Sequence, residues 1–268
     1  MAQQTVEQFA SQHGNNFHAQ VVSFLRKAGW SVTVSPFYRD NATDKAREAD
    51  VFADKVFHVH GVSGFSGSSF PVRLVIECKY VKESIVFWFD QKDADEAEKR
   101  IVTDIRVLEP FHENTNIEGH HWYAVREVAK LFATFNPNKS EERQPENEII
   151  FSSIDKVLNC LIYHRNLFFS TLPKTSPGSQ PPISYPLIVL NSFSELFKTT
   201  MQRPESIKSL DKEVWFPAEV NYAYISYGNG LRFSNLEYFL VDIVNFTRLD
   251  DYLALLKEND IEAARLML

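Results

Sequence analysis

The chain is short of cysteine, of basic charge and of long apolar runs, and each shortage removes a class of protein. Only Cys78 and Cys160 occur in 268 residues. That is too few for a disulfide framework and fits a reducing compartment. No apolar run reaches the length of about 18 residues that a membrane span needs. The opening stretch MAQQTVEQFA has neither a basic start nor an apolar core, so it does not read as a signal peptide. The expectation is a cytoplasmic protein with no membrane partner. The formal net charge of −7 argues against a surface coated for nucleic acid, because non-specific affinity for a polyanion comes from neutralised phosphates. A local basic groove is still compatible with that total. There is no internal repeat and no Gly-x-Ser-x-Gly elbow, and YGNG at 227–230 is a turn signal without the strand-to-helix context of a phosphate loop.

What is present is enough apolar and aromatic material for a sizeable core, with 44% hydrophobic residues and 22 phenylalanines. NFHAQVVSFLRKA at 16–28 places Phe17, Val21, Phe24, Leu25 and Ala28 on one helical face, with Gly29 as its C-terminal stop. WSVTVSPFY, EADVFADKVFHVH and PVRLVIECKY read as three strands, the last two joined as an antiparallel pair through a Gly/Ser turn. VKESIVFWF is a short apolar patch, DQKDADEAEKRIVTDIRVL is helix-like, and HWYAVREVAKLFATF reads as a strand turning into a helix, or mostly helix. ENEIIFSSIDKVLNCLIYHRNLFF is a long helix. YPLIVLNS is a nearly all-apolar strand of the kind covered on both faces. EVNYAYISYG and YFLVDIV are further strands, and LDDYLALLKEND is a closing helix with a turn or two beyond it. The expected fold is α/β, a mixed central sheet flanked by helices. It forms one domain over 1–268, with an insertion at 90–145 and a C-terminal extension at 205–268.

RLVIECKY ends a buried strand on an acid and a base. Side chains alternate faces along a strand, so Glu77 and Lys79 share one face and Cys78 takes the other. Glu48 and Asp50 share a face near the preceding strand. If the register sets Asp50 opposite Glu77, two carboxylates converge and repel unless a cation lies between them. Mg²⁺ or Mn²⁺ answers that need and keeps waters for a phosphate substrate. The Cys78 carbonyl offers one more ligand, and Lys79 can orient the water and offset developing charge.

The opening helix ending in AGW, then EADVFA, then VIECK resembles the PD-(D/E)xK nuclease superfamily, with its restriction-endonuclease-like fold. Asp50 matches the family's strand aspartate, and Glu77 with Lys79 matches its E-x-K. The resemblance is good over 14–80 and topological beyond. It implies Mg²⁺-dependent cleavage of nucleic acid, DNA favoured, with Asp50 and Glu77 holding the metal and Lys79 assisting the water. It also implies a helix glutamate; this chain has His18 there, with Gln20 nearby and Glu7 upstream, and Glu48 as a substitute acid. The alternative is a degenerate nuclease fold serving as a binding module within a complex. Arg39, Lys45, Arg47, Lys82 and Lys92 are the expected phosphate grips, and a homodimer or partner protein could supply a second cut or more basic surface. FWF at 87–89 reads as an apolar anchor rather than a stacking platform, and His58 with His60 as an ordinary strand face. His112, His120 and His121 cluster only loosely in sequence, whereas zinc sites show tighter combinations with Cys or carboxylates. Asp242 lies in an apolar strand, to cap, pair or mark its end, and Asn245 or Thr247 starts the last helix.

Overall fold

The computed structural model describes residues 14–41, 43–60, 67–106, 117–135, 148–171, 182–228 and 231–261. The turn expected at 61–66, the loops at 136–147 and 172–181, the end of the YGNG turn, His112, Glu7 and the last turns at 262–268 lie outside them, as does the His60 side chain.

Helix α1 (Gly14–Lys27) buries Phe17, Val21, Val22 and Leu25. It stops because Gly29 takes φ +79°, a left-handed conformation that residues with a Cβ resist. The Trp30 amide then donates to the Leu25 carbonyl at 3.0 Å and the Lys55 ammonium caps Ala28 O at 2.8 Å, so the last carbonyls are satisfied. The predicted strand WSVTVSPFY is divided into β1 (Ser31–Val34) and β2 (Phe37–Arg39) at Ser35, which also has a positive φ of 52°. EADVFADKVFHVH is likewise divided, into β3 (Ala46–Glu48), paired with β2 in a small separate hairpin, and β4 (Val51–His60).

Strand β5 (Gly67–Lys79) runs antiparallel to β4, with Val51 opposite Ile76. The patch VKESIVFWF is a strand, β6 (Ser84–Gln91), in which Phe87 and Phe89 are core residues. Helix α2 (Ala94–Arg106) follows. The reading of HWYAVREVAKLFATF is corrected: a single short turn, α3 (His121–Ala124), leads into strand β7 (Glu127–Phe135), which lies between β6 and β11. Ala, Lys and Leu favour helix locally, but two neighbouring strands with open ladders decide the outcome. Then come α4 (Glu148–Thr171), β8 (Ile183–Leu190), β9 (Leu196–Thr200), β10 (Arg203–Ser209), β11 (Trp215–Gly228) and β12 (Leu231–Asn245). Asn245 starts a 3₁₀ turn by accepting from the Thr247 amide. Helix α5 (Leu249–Leu255) is shorter than expected and passes into a π-helical turn at Leu256–Ile261.

One ten-stranded sheet results, in the order β1-β4-β5-β8-β12-β11-β7-β6-β9-β10. It is mixed: β8 is parallel to both β5 and β12, whereas β4–β5 and β11–β12 are antiparallel. The expected mixed α/β sheet flanked by helices is therefore the observed fold. Alternation along β5 separates two cores. Val72, Leu74 and Ile76 face a layer that includes α1, α2, α3 and α5. Val75 faces a layer that includes α4. Between them β8 is buried on both faces, which its unbroken apolar run anticipates.

Leu187 sits in β8 between β5 and β12 with no exposed surface. Leu187→Ala is expected to lower the unfolding free energy by about 2–5 kcal/mol, measured by urea denaturation. A loss under about 1 kcal/mol would show that this strand is not packed as described.

Candidate functional site

The β4–β5 register, continued by one pair, sets Asp50 opposite Glu77. Asp50 shares parity with Phe52, and Glu77 with Val75, so both point to the α4 side of the sheet. Directly opposed residues of an antiparallel pair hold their Cβ atoms about 5 Å apart. Asp50 Oδ2 accepts a hydrogen bond from the Cys78 amide at 2.7 Å. Among the described residues its other oxygen receives none. Glu77 is 1% exposed. Its Oε1 accepts from Lys79 Nζ and from Lys156 Nζ, each at 2.7 Å. Its Oε2 is buried and has no hydrogen-bond partner. A shielded carboxylate oxygen left unpaired is costly.

Lys156 is the member the sequence did not single out. It comes from α4, far along the chain, and its only sequence signal is a charge on the half-buried flank of an otherwise apolar helix. Burial works against its charge, but the hydrogen bond and charge of Glu77, with Asp50 and Glu48, outweigh this and raise its pKa. Lys156 therefore stays an ammonium. The thiol of Cys78 is pushed well up by burial and by the charges of Asp50 and Glu77, so it remains protonated and offers no thiolate.

The remaining expected residues divide into near and far. His18 Nε2 donates to the Asp50 main-chain carbonyl at 2.9 Å, so it braces the strand and adds no acid. Gln20 is exposed on α1, and Glu48 is exposed at the end of β3, close enough to act on Lys156. Arg39, Lys45 and Arg47 are exposed on the β2–β3 hairpin, where Arg39 pairs with Asp44 at 3.4 Å and Arg47 with Asp40 at 3.5 Å. Lys82 lies over the Tyr80 ring. Lys92 is placed elsewhere. It donates to the carbonyls of Trp122 and Tyr123 just past β6, five strands along the sheet from β5, or roughly 24 Å at ~4.8 Å per strand. The chain folds its ammonium onto α3, so it is not brought to Glu77.

A second charged cluster lies in the other core. His120, His121 and Asp260 bring ligand atoms within 4.8 Å of one another, all buried. By donor type and spacing this set could hold a divalent metal ion. The sequence concealed it because the carboxylates come from β12 and the C-terminal turn. In the geometry described, protons occupy the histidine nitrogens. His121 Nδ1 donates to Asp260 Oδ2 at 2.6 Å and His121 Nε2 to Asp242 Oδ2 at 2.9 Å, so both ring nitrogens carry hydrogen. Asp242 is held further by Trp122 Nε1 at 2.8 Å and by the Tyr252 hydroxyl at 2.7 Å. The role left open for Asp242 is thus pairing. His120 Nδ1 accepts from the Trp122 amide, so its proton sits on Nε2, toward Asp260 at 3.3 Å. Burial opposes the charge on His121, yet Asp260 and Asp242 more than reverse it and raise its pKa to about 9. Burial lowers His120 to about 4, and the charge of Asp260 recovers only part of that.

The fold and these clusters define an α/β protein with a mixed sheet flanked by helices and a buried His/His/Asp set able to take a divalent ion. Comparison with protein-family models, with curated proteins and with solved structures finds no match for this chain.

The histidine pair sets a pH signature. His121 binds its proton more tightly folded than unfolded, so its stabilisation is complete below its ordinary 6.5 and is lost as pH rises through about 9. His120 is held neutral, so its contribution is present above 6.5 and is lost as pH falls through about 4. Unfolding free energy, followed by denaturant titration between pH 5 and 9, is expected to peak near the shared ordinary value and decline on both sides. His121→Gln removes the alkaline decline; a wild-type profile flat on that side would overturn the assignment of an imidazolium.

Proposed function

We propose that this chain is a Mg²⁺-dependent nuclease of PD-(D/E)xK type that hydrolyses phosphodiester bonds, DNA favoured, with Mn²⁺ as a substitute ion. The observation that carries the reading is the Asp50–Glu77 pair: two carboxylates at facing strand positions, each with one oxygen committed to the protein and one without a protein partner. The donor set suits a hard cation, which takes carboxylate and carbonyl oxygens. Asp50, Glu77 Oε2 and the Cys78 carbonyl would hold it. When bound, it supplies the lowered water pKa and the charge shielding that phosphodiester hydrolysis needs.

The chain's own residues do the rest. Lys79 and Lys156 place two ammoniums on the same carboxylate oxygen, beside the position an attacked phosphate would take, where they offset its developing negative charge. His18 fixes the Asp50 backbone. Arg39, Lys45 and Arg47 place cations on a hairpin beside α4, interleaved with Asp40, Asp44 and Glu48, and would supply point contacts to phosphates. A second copy or a partner protein would add to those contacts.

A second reading, a binding module on a degenerate nuclease fold, is favoured by His18, which stands where the resemblance expects a glutamate and is used up on a main-chain carbonyl. One experiment separates the two. Linear, circular and single-stranded DNA are incubated with Mg²⁺ or Mn²⁺ and the wild type, Glu77→Gln, Lys79→Ala or Lys156→Ala, each variant first shown folded by its melting curve. Cleavage is expected with wild type, is abolished by a chelator, and falls by about 10²-fold or more in Glu77→Gln and Lys79→Ala, with a smaller loss in Lys156→Ala. DNA retention without cleavage would establish the binding module instead. Equal cleavage by wild type and Glu77→Gln would refute both the ion site and the mechanism.

A further inference from the structure

A cavity of about 580 Å³ opens where the β2–β3 turn, the C-terminal half of α4 and the end of β11 meet. Its size is that of a small-molecule pocket. Arg39, Asp40 and Asn41 supply its polar edge, and Tyr163, Leu167 and Ile225 its aromatic and aliphatic walls. Charge is balanced around it: Arg39 is paired with Asp44, and Arg47 with the largely buried Asp40. That balance disfavours a strongly anionic occupant such as free phosphate. Asn41 lines it with an amide that has an acceptor and two donors; its Nδ2 has no hydrogen-bond partner among the described residues and is turned away from solvent, so a side-chain rotation would bring it to an occupant. One aromatic ring beside aliphatic side chains, cations and carboxylates paired with one another, and the amides of Asn41 and Asn166 on the rim describe a site for a planar, uncharged ring with donors and acceptors on its edge. Asparagine is a side chain that reads such an edge in two-point fashion.

The cavity also stands in register with the Glu77 cluster. Tyr163 and Leu167 follow Lys156 on α4 by seven and eleven residues. At 3.6 residues per turn all three fall on one stripe of the helix, with the cavity about 10–16 Å along the axis from Lys156. That span corresponds to roughly three to five nucleotides at the ~3.4 Å rise of a stacked strand. The hairpin carrying Arg39, Lys45 and Arg47 borders the same stretch.

We propose that this cavity is a nucleobase pocket, which takes an unpaired base of a strand whose phosphate lies at Lys79 and Lys156. The position of that base along a substrate rests on the nuclease reading; recognition of the base itself does not.

The test uses the full chain without added metal and the four deoxyribonucleosides, followed by saturation-transfer NMR and calorimetric titration. At least one nucleoside is expected to bind, Asn41→Ala to weaken it about tenfold, and Leu167→Trp, at the solvent-facing wall, to abolish it, both variants being checked by melting curve. Absence of binding by all four, or binding unchanged in both variants, overturns the pocket, as does preferential binding of a free sugar or amino acid. The two proposals fail separately. Nucleoside binding in a chain that never cleaves DNA upholds the pocket and sinks the nuclease. Metal-dependent cleavage with no nucleoside binding does the reverse. Where both hold, Leu167→Trp raises KM for single-stranded DNA and leaves kcat unchanged.

Discussion

Two like charges forced together by a strand register are the constraint around which the α4 side of the molecule is arranged. Antiparallel pairing of β4 with β5 leaves Asp50 and Glu77 no choice of neighbour. Carboxylates at facing strand positions repel one another. The surrounding groups offset that repulsion. Lys79 follows from β5 itself, and Lys156 is delivered by α4, and both attach to one oxygen of Glu77. The Cys78 amide takes one oxygen of Asp50. Among the described residues the remaining oxygens have no hydrogen-bond partner.

The buried histidine cluster resolves a similar conflict in the opposite way. Asp242 and Asp260 are both inaccessible to solvent, and the imidazolium of His121 lies between them with each nitrogen bonded to one carboxylate. Trp122, Tyr252 and the His121 amide complete their shells. Both His121 ring nitrogens and all four oxygens of Asp242 and Asp260 are engaged, so the network acts as a staple joining α3, β12 and the C-terminal turn. A divalent ion entering there would have to replace the proton on His121 Nδ1 and shift the His120 tautomer. The contrast is chemical: a cluster with its valences filled holds the fold together, whereas one with valences left over has capacity for a ligand.

Several elements were legible in the sequence because their signals are local. The stripe of Phe17, Val21 and Leu25 with Gly29 after it specified α1 and its end. The unbroken apolar run of YPLIVLNS marked a strand buried on both faces, and β8 is one. Alternation in PVRLVIECKY placed Glu77 and Lys79 on one face and Cys78 on the other. The hidden parts are those where a distant partner outweighs local preference. HWYAVREVAKLFATF has helix-favouring residues, but β6 and β11 offer it open ladders on both sides and it becomes β7. A lysine in a helical run carries no mark of its destination, and Lys156 reaches Glu77 across 79 positions. Nothing in the sequence around His120 and His121 points to Asp260, which meets them from 139 positions away.

The sequence by itself determined the class of fold, the hydrophobic faces and the placing of an acid and a base at the end of a buried strand, because periodicity and side-chain alternation are properties of contiguous residues. Tertiary structure alone decided which charges meet: Asp50 facing Glu77 across the strand pair, Lys156 on Glu77, and His121 between two aspartates. Such pairings depend on strand order and helix docking, which are set by burying the whole core at once, and no short stretch of the chain encodes them.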